Sequence, residues 1–310
     1  MPAAGEGQID CHILAGRIHQ TVSSAYPLKI ISPTATRCTL EDGTRTPLVP
    51  AVSYILSYGG GIVHGDQIRV RVRVATQCAL LLLTQGSTKV YRTRGVPKSC
   101  LPNLSPTLDA NQTYQTMEIT VDDGALLCLL PDPVTCFKGA KYNQRQWVKM
   151  HKRGSLVLLD WMTSGRMSRG ERWAFDKYMS VNCVSVKDAD VDADKGRLAV
   201  RDALLLESPE CGPRLESLDA FAYLLILGPH VAHVADTFRS DHKQHRIRPF
   251  ERIHTSVQWS VSEVAAFGVL GVAVRASSSS TEDLKLWIQS KLSGVCSVVG
   301  DSAWSMYCNT

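Results

Sequence analysis

Between residues 67 and 83 the chain changes its hydrophobic pattern in a way that few folds accommodate. Ile68, Val70, Val72 and Val74 alternate with Arg69, Arg71 and Arg73, so one face is apolar and β-branched and the other is cationic. Such period-two alternation describes a half-buried strand. After Ala75-Thr76-Gln77 the pattern becomes continuous, Cys78 to Leu83, which suits a strand covered on both sides.

Short apolar segments continue along the chain between Gly, Pro, Asp and Asn signals, among them Leu28–Ile31, Val52–Leu56, Met117–Val121, Ala125–Leu130, Leu156–Trp161, Met179–Val186, Leu198–Leu206, Leu224–Leu227 and Val269–Val274. This cadence predicts a mainly β, many-stranded protein. Asp122-Asp123-Gly124 reads as a hairpin turn, and Asp194-Lys195-Gly196 as a second. Residues 97–111, with three prolines, read as a loop. Two helices are expected near the C-terminal part. Ser280 caps a segment with early acids and a stripe of Leu284, Trp287, Ile288 and Leu292. A second candidate, Val231 to about His245, has only Val231, Val234 and Phe238 as its stripe and is expected to lie on the surface. No composition break divides the chain, so a single domain over 1–310 is expected, with residues 1–20 disordered.

At 310 residues the chain can bury a large core without disulfides. Its ten cysteines show no CxxC spacing, and Cys78, Cys128 and Cys183 fall inside apolar runs, so buried reduced thiols in a cytoplasmic protein are expected. No run approaches the roughly 20 apolar residues of a membrane helix. The N-terminus lacks a signal-peptide pattern. The net charge of +5 is dispersed rather than interleaved with aromatics, which argues against nucleic acid as a partner.

Several chemical signatures fail on inspection. Gly59-Gly60-Gly61 and Gly65 precede a strand and lack the Lys-Ser/Thr of a phosphate loop, so they read as positive-φ or close-approach positions. No GxSxG occurs, and Cys136 has no base set beside it by local sequence. His230/His233 and His242/His245 form two HxxH pairs, candidate metal ligands opposed by the simpler reading of a polar helix. Asp66, Asp160 and Glu171 are carboxylates at strand or loop ends, the last beside Arg172. Such groups can guide a hard or borderline cation or serve as ordinary turn and salt-bridge residues.

Laid out in order, these segments resemble the urease accessory protein D (UreD, or UreH) family. The resemblance is carried by Gly59-Gly60-Gly61-Ile62-Val63, Gly65-Asp66, Thr84-Gln85, Thr88-Lys89-Val90-Tyr91-Arg92, Pro131, Phe137, Gly139-Ala140, Asp160, Gly165-Arg166 and Gly170-Glu171-Arg172. His64 stands where bacterial members commonly have glycine, and Lys138 where they have an acid. The form Pro131-Asp132-Pro133-Val134-Thr135-Cys136-Phe137 resembles the eukaryotic (fungal or plant) branch. The resemblance implies a helically wound β-sheet and a non-enzymatic scaffold. It implies apo-urease and an all-helical accessory protein (UreF-type) as partners, the latter recruiting a nickel-loading GTPase (UreG-type). It also implies nickel as a transient cargo, with no permanently bound cofactor, passed through a water-filled interior. By motif position the residues along that route would be Asp66, Lys89, Asp160, Glu171 and Arg172. Trp259, Phe267 and Trp287 are candidate partner anchors, with core packing as the alternative. A metal-dependent hydrolase using the carboxylates and HxxH pairs, and a structural subunit that conveys nothing, are the competing readings.

Overall fold

A computed structural model describes residues 2–15, 17–33, 47–93, 112–188, 196–208, 210–215, 217–247 and 256–309. The expected loop at 97–111 and most of the turn at Asp194-Lys195-Gly196 lie outside them. Among the described residues the chain is mainly β, with two sheets of seven and ten strands and five short α-helices.

The first sheet contains β1 (Glu6–Leu14), β2 (Arg17–Ser24), β5 (Gln67–Val74), β8 (Thr113–Val121), β11 (Lys141–His151), β13 (Lys177–Lys187) and β14 (Arg197–Glu207). The second contains β3 (Leu28–Ile31), β4 (Val49–Ser57), β6 (Cys78–Thr84), β7 (Thr88–Val90), β9 (Leu126–Leu130), β10 (Val134–Cys136), β12 (Ser155–Thr163), β15 (Ala220–Leu227), β16 (Val257–Ala266) and β17 (Val269–Ser278). Spatial order is β14-β13-β11-β8-β5-β1-β2 in the first and β16-β17-β15-β12-β9-β6-β4-β3 along the second. From β4 to β13 the main strands alternate between the sheets, and neighbours from successive coils pair in parallel: β5 with β8, β8 with β11, β4 with β6 and β6 with β9. This is the helical winding implied by the resemblance.

The winding changes the meaning of one turn. Asp122-Asp123-Gly124 does join two strands, with the Ala125 amide donating to the Asp122 carbonyl at 3.2 Å. Yet β8 and β9 belong to different sheets, so the turn is a coil corner and not a hairpin. Ala75-Thr76-Gln77 turns the preceding coil in the same manner, Cys78 N donating to Ala75 O at 3.1 Å. The N-terminal residues also depart from expectation. Residues 6–14 and 17–24 form β1 and β2 instead of a disordered lead, because Ile9 and Cys11 supply inward apolar groups and β1 pairs in parallel with β5.

Packing follows the two hydrophobic patterns. Ile68, Val70, Val72 and Val74 face Leu80, Leu82, Leu127, Leu129, Leu156 and Leu158 across the space between the sheets. The alternate residues of the ten-stranded sheet, such as Leu81, Leu126, Leu159 and Leu224, form a second core beneath helices. These helices are α2 (Ala232–Ile247), α3 (Thr281–Lys291), α4 (Cys296–Val299) and α5 (Asp301–Cys308), while α1 (Cys211–Arg214) is a single turn. Ser280 caps α3 as expected, its Oγ accepting from Asp283 N at 3.1 Å. α2 lies at the surface as expected, with Ala232, His233, Asp236, Thr237 and Ser240 exposed, and it docks one face on the sheet through Val234, Ala235 and Phe238, with Val231 buried just before it. The eight described cysteines are free thiols and six are buried; burial pushes Cys78 up to about 11 and Cys11 to about 12. Cys38 and Cys100 lie outside the described residues. No described helix is long and apolar enough to cross a membrane.

Candidate functional site: a polar break between the sheets

The second sheet is interrupted. β6 and β9 pair with each other, and so do β7 and β10, but the chain between them, Gln85–Ser87 on one side and Pro131–Pro133 on the other, leaves the ladder. Proline cannot donate to a ladder, and Pro131 and Pro133 flank Asp132 at the break. The Asp132 side chain bridges it instead. Its Oδ2 accepts from Gly86 N at 2.9 Å, while its own amide donates to Thr84 Oγ1 at 2.8 Å. From the helical side Lys285 of α3 reaches Asp132 Oδ1 at 3.4 Å.

Behind the break, between the sheets, lies a small cavity of about 20 Å³ lined by Thr84, Thr88, Gln115, Asp132, Gln144, Gln146 and Asp160 among apolar neighbours. That is room for about one water molecule. Asp160, on β12, receives Gln144 Nε2 at 3.0 Å, Ser180 Oγ at 2.5 Å, Asn182 Nδ2 at 2.7 Å and Tyr178 OH at 3.4 Å. Tyr142 OH lies 3.0 Å from both Gln115 Oε1 and Gln144 Oε1. Burial pushes the Asp160 carboxyl upward, and the Ser180 and Asn182 hydrogen bonds work against that shift. Gln146 is 2% exposed, and its Oε1 has no hydrogen-bond partner. A buried, unpaired carboxamide oxygen is costly unless something donates to it or is coordinated by it. The lining therefore offers oxygen donors, two of them carboxylates, without imidazole or thiolate. Such a set suits weak contact with a divalent cation better than tight capture, and in a space this small the ion would have to exchange most of its water shell for these oxygens.

The other sequence candidates lie elsewhere. Glu171 is on the wall of an open cleft of about 810 Å³, with His64, Tyr91, Arg92, Lys138, Arg166 and Asp176. Arg166 holds both Glu171 oxygens, Nε to Oε2 at 2.8 Å, and Lys138 N donates to Oε2 at 3.2 Å. These contacts hold the Glu171 carboxyl below its usual range. Gly165 permits the arrangement, since its φ is +132° and a Cβ there would sit 2.4 Å from Glu171 O. Asp66 closes a turn by accepting Val63 N at 2.9 Å, and burial pushes its carboxyl upward. Lys89 is exposed, its carbonyl accepting Ile62 N at 2.8 Å. Gly59 and Gly60 have φ near +75°, and a Cβ on Gly61 would meet Lys89 O at 2.6 Å, so the triple glycine serves turn and close approach. Arg172 is engaged by Asp219, Nε to Oδ1 at 2.7 Å. Of the five route residues inferred by motif position, only Asp160 lines the interior cavity. Gln144, Gln146, Ser180 and Asn182 were the missing companions, and their alternation on one face of β11 and β13 was the available signal.

The histidines do not converge. His230 Nε2 meets Gly124 O at 3.1 Å, His233 Nε2 meets Gly294 O at 2.9 Å, and His242 packs edge-on against Trp259. The His245 side chain lies outside the described residues. Among the described residues no group of three or more His, Cys, Asp or Glu is placed to hold a metal ion. Trp259 and Trp287 pack against each other and against Phe238, which favours the core-packing alternative; Phe267 is 41% exposed, with the Arg197 guanidinium 4.4 Å from its ring centroid.

Comparison with known proteins matches residues 6–305 to the model of the UreD urease accessory protein family. The chain belongs to that family. Urease accessory protein 4 of Cryptococcus neoformans var. grubii is 32% identical over 97% of this chain and 94% of its own length. Urease accessory protein D of Oryza sativa subsp. japonica is 34% identical over 78% of this chain and 71% of its own. Urease accessory protein UreD of Sorangium cellulosum is 32% identical over 97% and 84%. The UreD match spans both sheets and the helices that cover them, so the polar break and the cleft fall within the matched region.

Proposed function

We propose that this UreD-family chain is a non-enzymatic scaffold in urease maturation. It binds apo-urease and a helical accessory protein, through which a nickel-loading GTPase is recruited, and it lets nickel pass through its interior toward the urease active site. Family membership supports the accessory role, and the oxygen-lined cavity around Asp160 supports conveyance of an ion. Donors that are numerous and individually weak let a cation move on, whereas a complete ligand cage would trap it. Asp160 supplies charge compensation in a low-dielectric interior, the amides of Gln144 and Gln146 supply neutral oxygens, and the break at Asp132 gives the polar interior a route toward the helical side.

The deciding experiment is co-purification with the helical partner and apo-urease, followed by nickel loading of apo-urease with and without this chain. Asp160→Asn keeps the shape but removes the charge. We expect this variant to bind both partners like wild type while nickel incorporated per urease falls several-fold. Wild-type chain that binds neither partner, or urease that loads equally well without it, would overturn the scaffold role. Full nickel transfer by Asp160→Asn would overturn the interior route alone.

A further inference from the structure

The two sheets are covered unequally. Helices bury the outer face of the ten-stranded sheet, whereas no described element packs over the middle of the outer face of the seven-stranded sheet. Strand alternation assigns that face: Ile68, Met117, Val148 and Val184 point inward to the core, so Arg71, Glu118, Trp147 and Cys183 point outward.

Register then lays the outward residues in rows. The central row runs Gln8, Arg71, Glu118, Trp147, Cys183, Arg201 across β1, β5, β8, β11, β13 and β14. The row on one side contains Asp10, Arg73 and Lys149, and the row on the other Glu6, Arg69 and Arg145. Each row has one carboxylate and two cations, so within the three rows cations exceed carboxylates by three, while Asp122 at the adjoining coil corner holds Arg73 at 3.1 Å. Arg71 and Arg69 reach Glu118 and Glu6 at 3.2 and 3.4 Å, exposed pairs that salt and water loosen. Trp147 stands in the middle, 44% exposed, and Leu205, two strands away on β14, is 53% exposed. Val181 and Cys183 fill the strand between them, buried yet part of neither core.

A half-exposed tryptophan with Arg145 and Lys149 on either side along its strand, between Glu118 and the buried Cys183 on the neighbouring strands, has the composition of an interface centre. We infer that this face is a docking surface for an acidic protein surface, with Trp147 as its anchor and the arginine rows steering approach. The occupant follows from charge. A second copy would present the same positive excess and be repelled. A nucleic acid would find a single aromatic on which to stack. An acidic protein face can pair with the arginines and accept the indole.

The inference deepens the proposed scaffold role by naming the surface on which one of its protein partners sits. It is tested on the full-length chain by titrating purified apo-urease and, separately, the purified helical accessory protein. The variants are Trp147→Ala and the double charge reversal Arg71→Glu/Arg145→Glu. All are on the outer face, away from the interior polar groups, and the double variant leaves the tryptophan in place should its removal disturb the sheet. Expected is an affinity loss of at least tenfold for one partner in both variants, a weaker salt dependence for that partner in the double variant, and an unchanged affinity for the other. Variants within twofold of wild type toward both partners would overturn the docking surface while leaving the scaffold role intact. Wild type that binds neither partner would overturn both. Binding of single-stranded oligonucleotide, or self-association in sedimentation velocity, that disappears in Trp147→Ala would reassign the face and overturn the inference.

Discussion

Glu171 and Asp160 both read as acids at strand or loop ends in sequence, and the fold, which places Asp160 within β12, gives them opposite electrostatic surroundings. Glu171 accepts from the Arg166 guanidinium and the Lys138 amide, and its folded pKa lies below the ordinary value of 4.5. Its contribution to stability is therefore full above that value and is lost as pH falls through the folded pKa. Asp160 is raised by burial, so the folded state holds that proton more tightly than the unfolded chain. Its effect runs the other way, with stability declining as pH rises from the ordinary 3.8 through the folded value. Thermal unfolding followed from pH 6 to pH 3 should show a shallower acid loss in Glu171→Gln than in wild type. Parallel curves would mean that the Arg166 pair contributes nothing to this limb. The sequence places both acids at element ends but cannot show this contrast, because Arg166 is local to Glu171 whereas the donors to Asp160 come from two other strands.

At the scale of elements, local chemistry was legible and partnership was not. The cap on α3 and the alternation of β5 follow directly from neighbouring residues. Asp122-Asp123-Gly124 likewise sets a reversal of direction, but the destination of the next strand depends on coils far away in sequence. α2 shows the same limit. Three apolar side chains among polar ones make a weak stripe, yet a sheet face needs only a narrow line of contact, and Phe238 fills it with Trp259 and Trp287 edge-on at about 6.0 Å. Phe238→Ala should cost about 3–5 kcal/mol, read as a lowered urea midpoint. A change below about 1 kcal/mol would mean that α2 docks loosely, as its sequence alone implies.

For the molecule as a whole, the continuous run at Cys78–Leu83 was the most informative stretch, since it required cover on both sides and therefore a middle layer. The periodicities give strands but not their winding, which the family resemblance supplied. Because Leu81 and Leu82 are adjacent on one strand but belong to different cores, the two cores share a backbone. Leu81→Ala and Leu82→Ala should each cost about 2–5 kcal/mol and displace the same single transition in circular dichroism and tryptophan fluorescence. Two separable transitions, each moved by one variant, would show independent layers instead. The order of the chain adds a consequence for synthesis. α3, α4 and α5 cover the outer side of the middle layer, and they follow every strand they cover. A ribosome-bound product halted before residue 281 would keep α2 but lack the other three helices, leaving part of this leucine-rich wall uncovered, and any prematurely terminated copy would be a target for chaperones or a seed for aggregates.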